Sequence, residues 1–372
     1  MSTNTNTNTD TSAGANTNTS AGANAGDQPF VTVVMPVRDE AAFIARSLGA
    51  VLAQDYPPGR VEIIVADGMS TDGTREIVAS LQARHARLRL VDNPGRIAPT
   101  ALNAALRAAR GEVVVRVDGH CEIASDYVRR CVECLARERV EGVGGPIETV
   151  GETATARAIA AAMSSSFGVG GSAFRTVRDR RMLVDSIAFP AYTRRAIERA
   201  GLFDEELIRN QDDEYNYRLR ALGARLLLAP EIRARYYSRG TLRSLRRQYF
   251  QYGYWKVRVM QKHPRQMSAR QFAPPTFAAA LSILSLLSPF FVAARLALAA
   301  LAVAYAAANL CASALTARKN GWRLLPLLPA AFATLHLAYG FGFLAGLFKF
   351  WNRWRDRRGR AGHFEPRAQG AE

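Results

Sequence analysis

Two long stretches near the carboxyl end of the chain are almost free of charge, and they limit what the rest can be. Pro275 to Thr316 carries only Arg295, and Leu324 to Phe348 carries no Lys, Arg, Asp or Glu. Each exceeds the roughly 20 apolar residues that cross a bilayer, and core helices of soluble proteins rarely run so long without a polar face. They predict an integral membrane protein with its transmembrane region over 273–348. The first stretch holds either two spans broken near Ser288-Pro289 or one span preceded by an interfacial helix. A basic loop, Arg318-Lys319-Asn320-Gly321-Trp322-Arg323, separates it from the second. If the large domain ahead of the spans and the basic tail behind them, 349–372, share the cytoplasmic side, the number of crossings is even. Two full crossings plus an interfacial or re-entrant segment meet that condition.

Charge follows the same plan. The net charge is +17, from 49 Lys and Arg against 32 Asp and Glu. Eleven Lys or Arg and a single acid lie between Glu231 and Arg270, and a second basic cluster runs from Lys349 to Arg360. Basic stretches beside apolar segments face anionic headgroups, so membrane lipid is an expected partner and nucleic acid is not. The segment 241–272 mixes cations with aromatic residues, and Leu242 to Met260 reads as an interfacial amphipathic helix. Residues 1–28 form a Thr, Asn, Ser, Ala and Gly tract without the basic and apolar regions of a signal peptide. This tract reads as a disordered tail, and nothing in it directs export. The expected location is the inner (plasma) membrane, multi-pass, with the catalytic domain in the cytoplasm. Cys131 and Cys134 form a Cys-x-x-Cys with no second half, and on a predicted helix over 126–137 they read as packed thiols rather than a zinc or redox pair.

Between residues 29 and 240 strand and helix alternate. Val31–Met35, Val61–Val65, Leu88–Val91 and Glu112–Val117 read as strands, with helices over 41–54, 74–86 and 98–109 between them. Such units build a parallel arrangement with helices on both faces. Ligands bind at the carboxyl edge of such sheets, so the residues just beyond each strand carry the chemistry. After the first stands Pro36-Val37-Arg38-Asp39-Glu40, with no dinucleotide fingerprint. After the second stands Ala66-Asp67-Gly68-Met69-Ser70-Thr71-Asp72-Gly73-Thr74, rich in acids and glycine. The fourth exits into Asp118-Gly119-His120, a carboxylate and an imidazole at the sheet edge. Asp-Gly is also a turn signal, and Asp72 reads as a helix cap. An edge lined by carboxylates suits a nucleotide held by its base and ribose, with its diphosphate neutralised by a divalent cation. Asp67 can accept a hydrogen bond from a uracil-like imide, while Asp118 and His120 address ribose and cation.

Val31 to Glu40, Glu62 to Thr74, Asn93-Pro94-Gly95-Arg96, Asn103, Gly111-Glu112 and Asp118-Gly119-His120 resemble the successive motifs of family 2 glycosyltransferases, over roughly Phe30 to Trp255. The resemblance implies an α/β fold of glycosyltransferase A-type, a Rossmann-like mixed sheet flanked by helices, followed here by carboxy-terminal transmembrane helices. It implies a nucleotide-diphosphate sugar as donor, a UDP-sugar by expectation, with Mg2+ or Mn2+ and inversion at the anomeric carbon. Under it Pro36, Arg38, Glu40, Asp67, Arg96 and Asp118 contact the nucleotide sugar. Asp118 and His120 hold the metal, His120 standing where the family's Asp-x-Asp motif has its last acid. Imidazole suits Mn2+ better than Mg2+.

Asn210-Gln211-Asp212-Asp213-Glu214-Tyr215-Asn216-Tyr217-Arg218-Leu219 resembles the family's Glu-Asp motif, with Gln211 in place of the Glu and Arg218 at the usual arginine. Asp212 is then the general base, with Asp213 as substitute; read on residues alone, acids in a first helical turn are favourable anyway. Gln251-Tyr252-Gly253-Tyr254-Trp255 resembles the Gln-x-x-Arg-Trp motif of processive synthases, with Tyr254 where the Arg is expected. It makes Gln251 and Trp255, with Asp213, acceptor or diphosphate contacts. Val117 to Cys121, Gly144-Gly145-Pro146, Phe189-Pro190 and the basic aromatic segment are similar to bacterial succinoglycan-type glycosyltransferases. The implied reaction moves a hexose to a polyprenyl-diphosphate-linked or other lipid-linked glycan in exopolysaccharide or cell-surface polysaccharide synthesis. A processive synthase and a non-catalytic scaffold that binds nucleotide sugars are the alternatives, the latter because His120 and Gln211 depart from the motifs. The Ser-, Gly- and Arg-rich stretch 168–185 reads equally as a lid or a surface loop.

Overall fold

The computed structural model describes residues 28–238, 240–356, 362 and 364. The expected disordered tail, but for Gln28, and most of the basic tail lie outside the described residues.

Strands β1 (Val31–Val37), β2 (Val61–Asp67), β3 (Leu88–Asp92) and β4 (Val113–Arg116) lie parallel in the order β3-β2-β1-β4. Helices α1 (Ile44–Leu52), α2 (Thr74–Gln82) and α3 (Ala98–Ala108) connect them. Every residue of β2 is buried and all but one of β1, which is why these strands read as continuous apolar runs and carry helices on both faces. Pro36, which cannot donate to a ladder, lies beyond Val34, the last residue of β1 paired with β4.

Next come β5 (Cys121–Ile123), α4 (Tyr127–Glu138), β6 (Gly142–Gly144), β7 (Ile147–Val150), α5 (Ala154–Met163) and two single turns, α6 (Ser166–Val169) and α7 (Ala173–Thr176). Then follow β8 (Met182–Leu183), β9 (Ala191–Thr193), α8 (Arg194–Ala200), α9 (Gln211–Ala221), β10 (Leu226–Leu228) and β11 (Ala234–Tyr237). The sheet continues from β4 through β9, β6, β10 and β8, with β9 antiparallel to both neighbours, so it is mixed. A small second sheet, β5-β11-β7, stands beside it. Cys131 and Cys134 are buried on the inner face of α4.

Three non-glycine residues in the left-handed region, Asp39, Met69 and Arg96, mark the loops after β1, β2 and β3, one in each. Such backbone costs free energy and persists where surrounding contacts hold it, a pattern concentrated at ligand-binding edges.

The carboxyl region has four longer helices: α10 (Leu242–Lys262), α11 (Ala273–Leu287), α12 (Val292–Asn320) and α13 (Leu328–Lys349). The first apolar stretch is therefore two helices broken at Ser288 to Phe291. Among the described residues, only α12 and α13 are long and apolar enough to cross a membrane, with mean hydropathy 1.8 and 1.5. The sequence presents α10 as an interfacial helix; the structure packs it between the sheet domain and α13. Its glycine and those of α13 let the backbones touch. A Cβ on Gly253 would stand 2.0 Å from the Tyr339 carbonyl oxygen, and one on Gly342 2.1 Å from that of Phe250. From Lys256 to Lys262 every residue of α10 is buried, because an ion network receives its cations. Lys262 pairs with Asp204 and, at 2.6 Å, with Glu206; Arg258, wholly buried, pairs with Glu206 at 2.7 Å and Asp356 at 3.1 Å. Burial alone would raise the Glu206 carboxyl, but hydrogen bonds from Arg258 and Lys262 hold it at about 2.

Glu206→Gln should therefore lower stability by about 3 kcal/mol at neutral pH, because it leaves buried cations short of counter-charge. A carboxyl held below its unfolded value stabilises fully above that value and loses the contribution as pH falls toward 2. Thermal unfolding of detergent-solubilised protein should show a midpoint that drops below pH 4.5 more steeply in the wild type than in the variant.

Candidate active site

The edge of β4, the turn α7, strand β11, the start of α9 and the first half of α10 converge on a cavity of about 130 Å³. Asp118 and His120 reach it from the exit of β4, Gln211 and Asp212 from α9. Arg116, a lone cation in the run Val113-Val114-Val115-Arg116-Val117, lies between these acids. Its guanidinium donates from Nε to Asp118 Oδ1 at 2.8 Å and from its terminal nitrogen to Oδ2 at 3.2 Å. Burial would lower its pKa, but the carboxylates of Asp118 and Asp212 outweigh that and hold it charged.

His120 is oriented by a partner the sequence pattern did not connect to it. Its Nδ1 lies 2.7 Å from Glu40 Oε1, and its ring meets the edge of Tyr236 at 5.2 Å. With Nδ1–H donating to the carboxylate, Nε2 keeps its lone pair and has no partner among the described residues.

The acidic start of α9 separates into distinct tasks. Asn210, in the left-handed region, donates from Nδ2 to the Tyr252 carbonyl at 2.9 Å and fixes this helix to α10. Asp213 pairs with Lys256. Glu214 is buried with Arg218 at 2.9 Å and His263 at 3.1 Å; burial would raise it, but these two partners hold it at about 2. Among the described residues Asp212 accepts only the Asp213 amide, at 2.9 Å, and it lines the cavity. Favourable charge at a helix start thus accounts for its neighbours better than for Asp212.

Other residues singled out in the sequence lie elsewhere. Asp67 is wholly buried, its oxygens taken by Arg75 at 2.8 Å and by the Ser70 amide and hydroxyl at 3.0 and 2.5 Å. Arg38 lies across Gly68 and donates to the Arg96 carbonyl at 2.9 Å, joining the loops after β1, β2 and β3. Pro36 stays within β1. These residues form a rim along the sheet edge and do not line the 130 Å³ cavity. Gln251 and Trp255 are also outside it: Trp255 Nε1 donates to Gln251 at 3.1 Å and its ring packs on Phe350 at 5.6 Å. The face of α10 turned to the cavity carries Gln248 and Tyr252 instead.

Arg116, Arg175, Arg209, Tyr236, Gln248 and Tyr252 line the cavity and were not singled out for it in the sequence. Arg116 had a signal, since a cation in an otherwise apolar strand needs a buried counter-charge. The others come from separate loops and helices, and no local pattern joins them.

Of the carboxylates and imidazole lining this cavity, Asp118, His120 and Asp212, the first two stand together at the exit of β4; among the described residues no group of three or more His, Cys, Asp or Glu could hold a metal ion. Two protein donors suit a cation that takes its other ligands from diphosphate oxygens and water. A histidine whose second nitrogen is held by a carboxylate is a common form of metal ligand. The residues fit Mg2+ or Mn2+.

The family model described as glycosyl transferase family 2 matches residues 32–202. The succinoglycan biosynthesis protein ExoA of Rhizobium meliloti (strain 1021) is 33% identical over 270 residues, covering 69% of this chain and 79% of that protein. An enzyme of Methanococcus voltae, dolichyl N-acetyl-alpha-D-glucosaminyl phosphate 3-beta-D-2,3-diacetamido-2,3-dideoxy-beta-D-glucuronosyltransferase, is 28% identical over 241 residues, 63% of this chain and 74% of that one. Among solved structures, the mannosyltransferase PcManGT from Pyrobaculum calidifontis, in complex with GDP-Man and Mn2+, superposes with a TM-score of 0.55 at 26% identity. It covers 87% of this chain and 89% of its own. With the mixed sheet, the acid-lined carboxyl edge and these likenesses in hand, the chain belongs to glycosyl transferase family 2 and is a glycosyltransferase.

Proposed function

We propose that this enzyme moves a hexose from a UDP-sugar, with inversion, onto a lipid-linked glycan at the cytoplasmic face of the inner (plasma) membrane, in exopolysaccharide or cell-surface polysaccharide synthesis. One observation carries the reading: the carboxylate of Asp212 opens into the same cavity as Asp118 and His120, with Arg116 joining the two sides. Asp212 takes the proton of the acceptor hydroxyl as its oxygen attacks the anomeric carbon. The bond from that carbon to the diphosphate oxygen breaks, and its electron pair leaves with the nucleoside diphosphate. Attack from the face opposite the leaving group inverts the centre. Arg116, Arg175 and Arg209 stabilise the charge gathering on the diphosphate. Asp118 and His120 would hold a divalent cation, which would supply further neutralisation of that diphosphate. The base specificity comes from the resemblance; the GDP-Man of the Pyrobaculum structure makes guanine the rival.

A larger cavity, about 620 Å³, supports the lipid-linked acceptor. It shares Arg175, Asn210 and Tyr252 with the catalytic cavity and extends between α6 and the helices α11, α12 and α13. Arg175 and Arg270 in its wall have no acid partner among the described residues, while Phe167, Phe277 and Tyr305 supply apolar surface. Unpaired guanidinium groups beside aromatic walls suit a phosphate attached to a hydrocarbon chain. This chamber takes over the acceptor role that the sequence assigns to Gln251 and Trp255. The names of the Rhizobium and Methanococcus relatives, one for succinoglycan biosynthesis and one for a dolichyl phosphate-linked sugar, agree with it.

Asp212→Asn should cut transfer to lipid-extract acceptors by about 10³-fold, the scale of a lost general base, while donor affinity measured by calorimetry stays within a few-fold. Equal activity in variant and wild type would remove Asp212 from the mechanism. Glu40→Gln should weaken Mn2+ binding in the presence of nucleoside diphosphate by 10- to 100-fold, on the order seen for lost ligand supports, and His120→Ala should weaken it at least as much; Mn2+ paramagnetic resonance reads both. A thermal-shift comparison of UDP and GDP, with and without Mn2+, should show the larger stabilisation for UDP with metal, and a larger shift for GDP would reassign the base.

A further inference from the structure

We infer that α11 and α12 form the hairpin that enters the lipid, and that α13, although apolar enough to span a bilayer, stays on the catalytic side without crossing. The inference rests on the membrane seat proposed above and names the segment that provides it.

The last helix is fixed to the sheet domain along its whole length. Leu328, Ala331 and Phe332, near its start, belong to the same buried core as β1 and α5. In its middle, His336 donates from Nε2 to the Phe167 carbonyl at 2.8 Å. At its end, the Phe350 carbonyl accepts from Gln261 at 2.7 Å, and Asp356 pairs with Arg258. A helix held to one water-facing domain at start, middle and end cannot have its two ends on opposite sides of a bilayer. The hairpin, by contrast, is held to α13 only over its lower half. Pro274 and Ala278, in the first turns of α11, meet Gly340; in α12 Tyr305 bonds to His336 Nδ1 at 3.0 Å, Asn309 donates to the Pro329 carbonyl at 3.0 Å, and Thr316 and Ala317 are buried, Ala317 in that same core. Beyond these contacts it projects outward, with Leu286 73%, Phe290 75% and Leu296 67% exposed.

Its tip is built for a medium without water, where unpaired backbone groups are costly. The Ser288 amide bonds to the Leu284 carbonyl at 2.9 Å, and those of Phe290 and Phe291 to the Leu287 carbonyl at 3.0 Å. Pro289 has no amide hydrogen, and the Ser288 hydroxyl donates to the Ser285 carbonyl at 2.9 Å. At 1.5 Å per residue the limb of α12 from Val292 to Tyr305 spans ~20 Å, about two-thirds of the hydrocarbon thickness. Arg295, one turn into α12, is directed by helix geometry back toward the tip, where its long side chain extends to the far headgroups. Charge agrees. Arg318, Lys319 and Arg323, between α12 and α13, belong on the cytoplasmic side with the anionic leaflet. Crossings by both α12 and α13 would place them on the far side.

Substituted-cysteine labelling tests this in the full-length chain. Among the described residues, Cys121, Cys131 and Cys134 are buried, so Cys311→Ser gives a quiet background. In it, Lys319→Cys and Phe290→Cys are compared with Ser80→Cys, on the exposed face of α2, using a membrane-impermeant maleimide on right-side-out and inside-out vesicles. Lys319→Cys should lose labelling in the same vesicle orientation as Ser80→Cys, and Phe290→Cys should be shielded or label from the opposite side. Labelling of Lys319→Cys from the opposite side, or only after detergent, overturns the inference. So does labelling of Phe290→Cys from the catalytic side, or its disulfide capture by a second copy. If alkaline carbonate releases the chain from membranes, the membrane seat itself is wrong; if the chain stays and Lys319→Cys labels from the far side, only this topology is.

Discussion

The guanidinium of Arg116 is the contact on which the site depends. It is a cation inside an apolar strand, kept charged by two carboxylates from different parts of the chain, Asp118 on its own strand and Asp212 on α9. Removing any one of the three leaves a buried charge without its complement, an expensive state in a low-dielectric site. Asp118 is bonded to the guanidinium directly, and Asp212 adds a through-space attraction from the opposite wall of the same cavity.

Helix α10 carries this arrangement to the membrane side. Tyr252 accepts from Asn210, Lys256 pairs with Asp213, and Lys262 and Arg258 reach Asp204 and Glu206. Its other face meets α13 through glycines, with no side chain between the backbones. Packing of this kind is sensitive to any added methyl group.

How much of this was legible in the residues depends on how local each signal is. The first four strands carry hydrophobic runs and turn residues within a few positions, so their order and the exposed carboxyl edge were readable, with boundaries shifted by one or two residues, as at Val37 and Arg116. The mixed character of the sheet came through family resemblance, since β6, β8, β9 and β10 are only two or three residues long. Within the site, Asp118, His120 and Asp212 were visible as motif positions, whereas the link between Glu40 and His120 joins residues 80 apart and has no sequence signature. On α10 a motif spacing pointed to Gln251 and Trp255, whereas the residues of that helix lining the cavity are Gln248 and Tyr252. Hydropathy likewise cannot tell lipid from protein: the apolar α13 reads as a span, and in the fold it packs on α5 and α10 as well as on α11 and α12.

Asn210 holds a left-handed conformation while its side chain clasps the backbone of α10. Asp212, two residues later, is thereby mounted on the same frame as the membrane-side helices rather than on a hinged loop. Its height above them is a constant of the architecture. With Asp212 as the proposed base, an enzyme so built would select among acceptors by how far their reactive hydroxyl stands from the lipid, as a gauge does, and any change of reach would have to come from the acceptor.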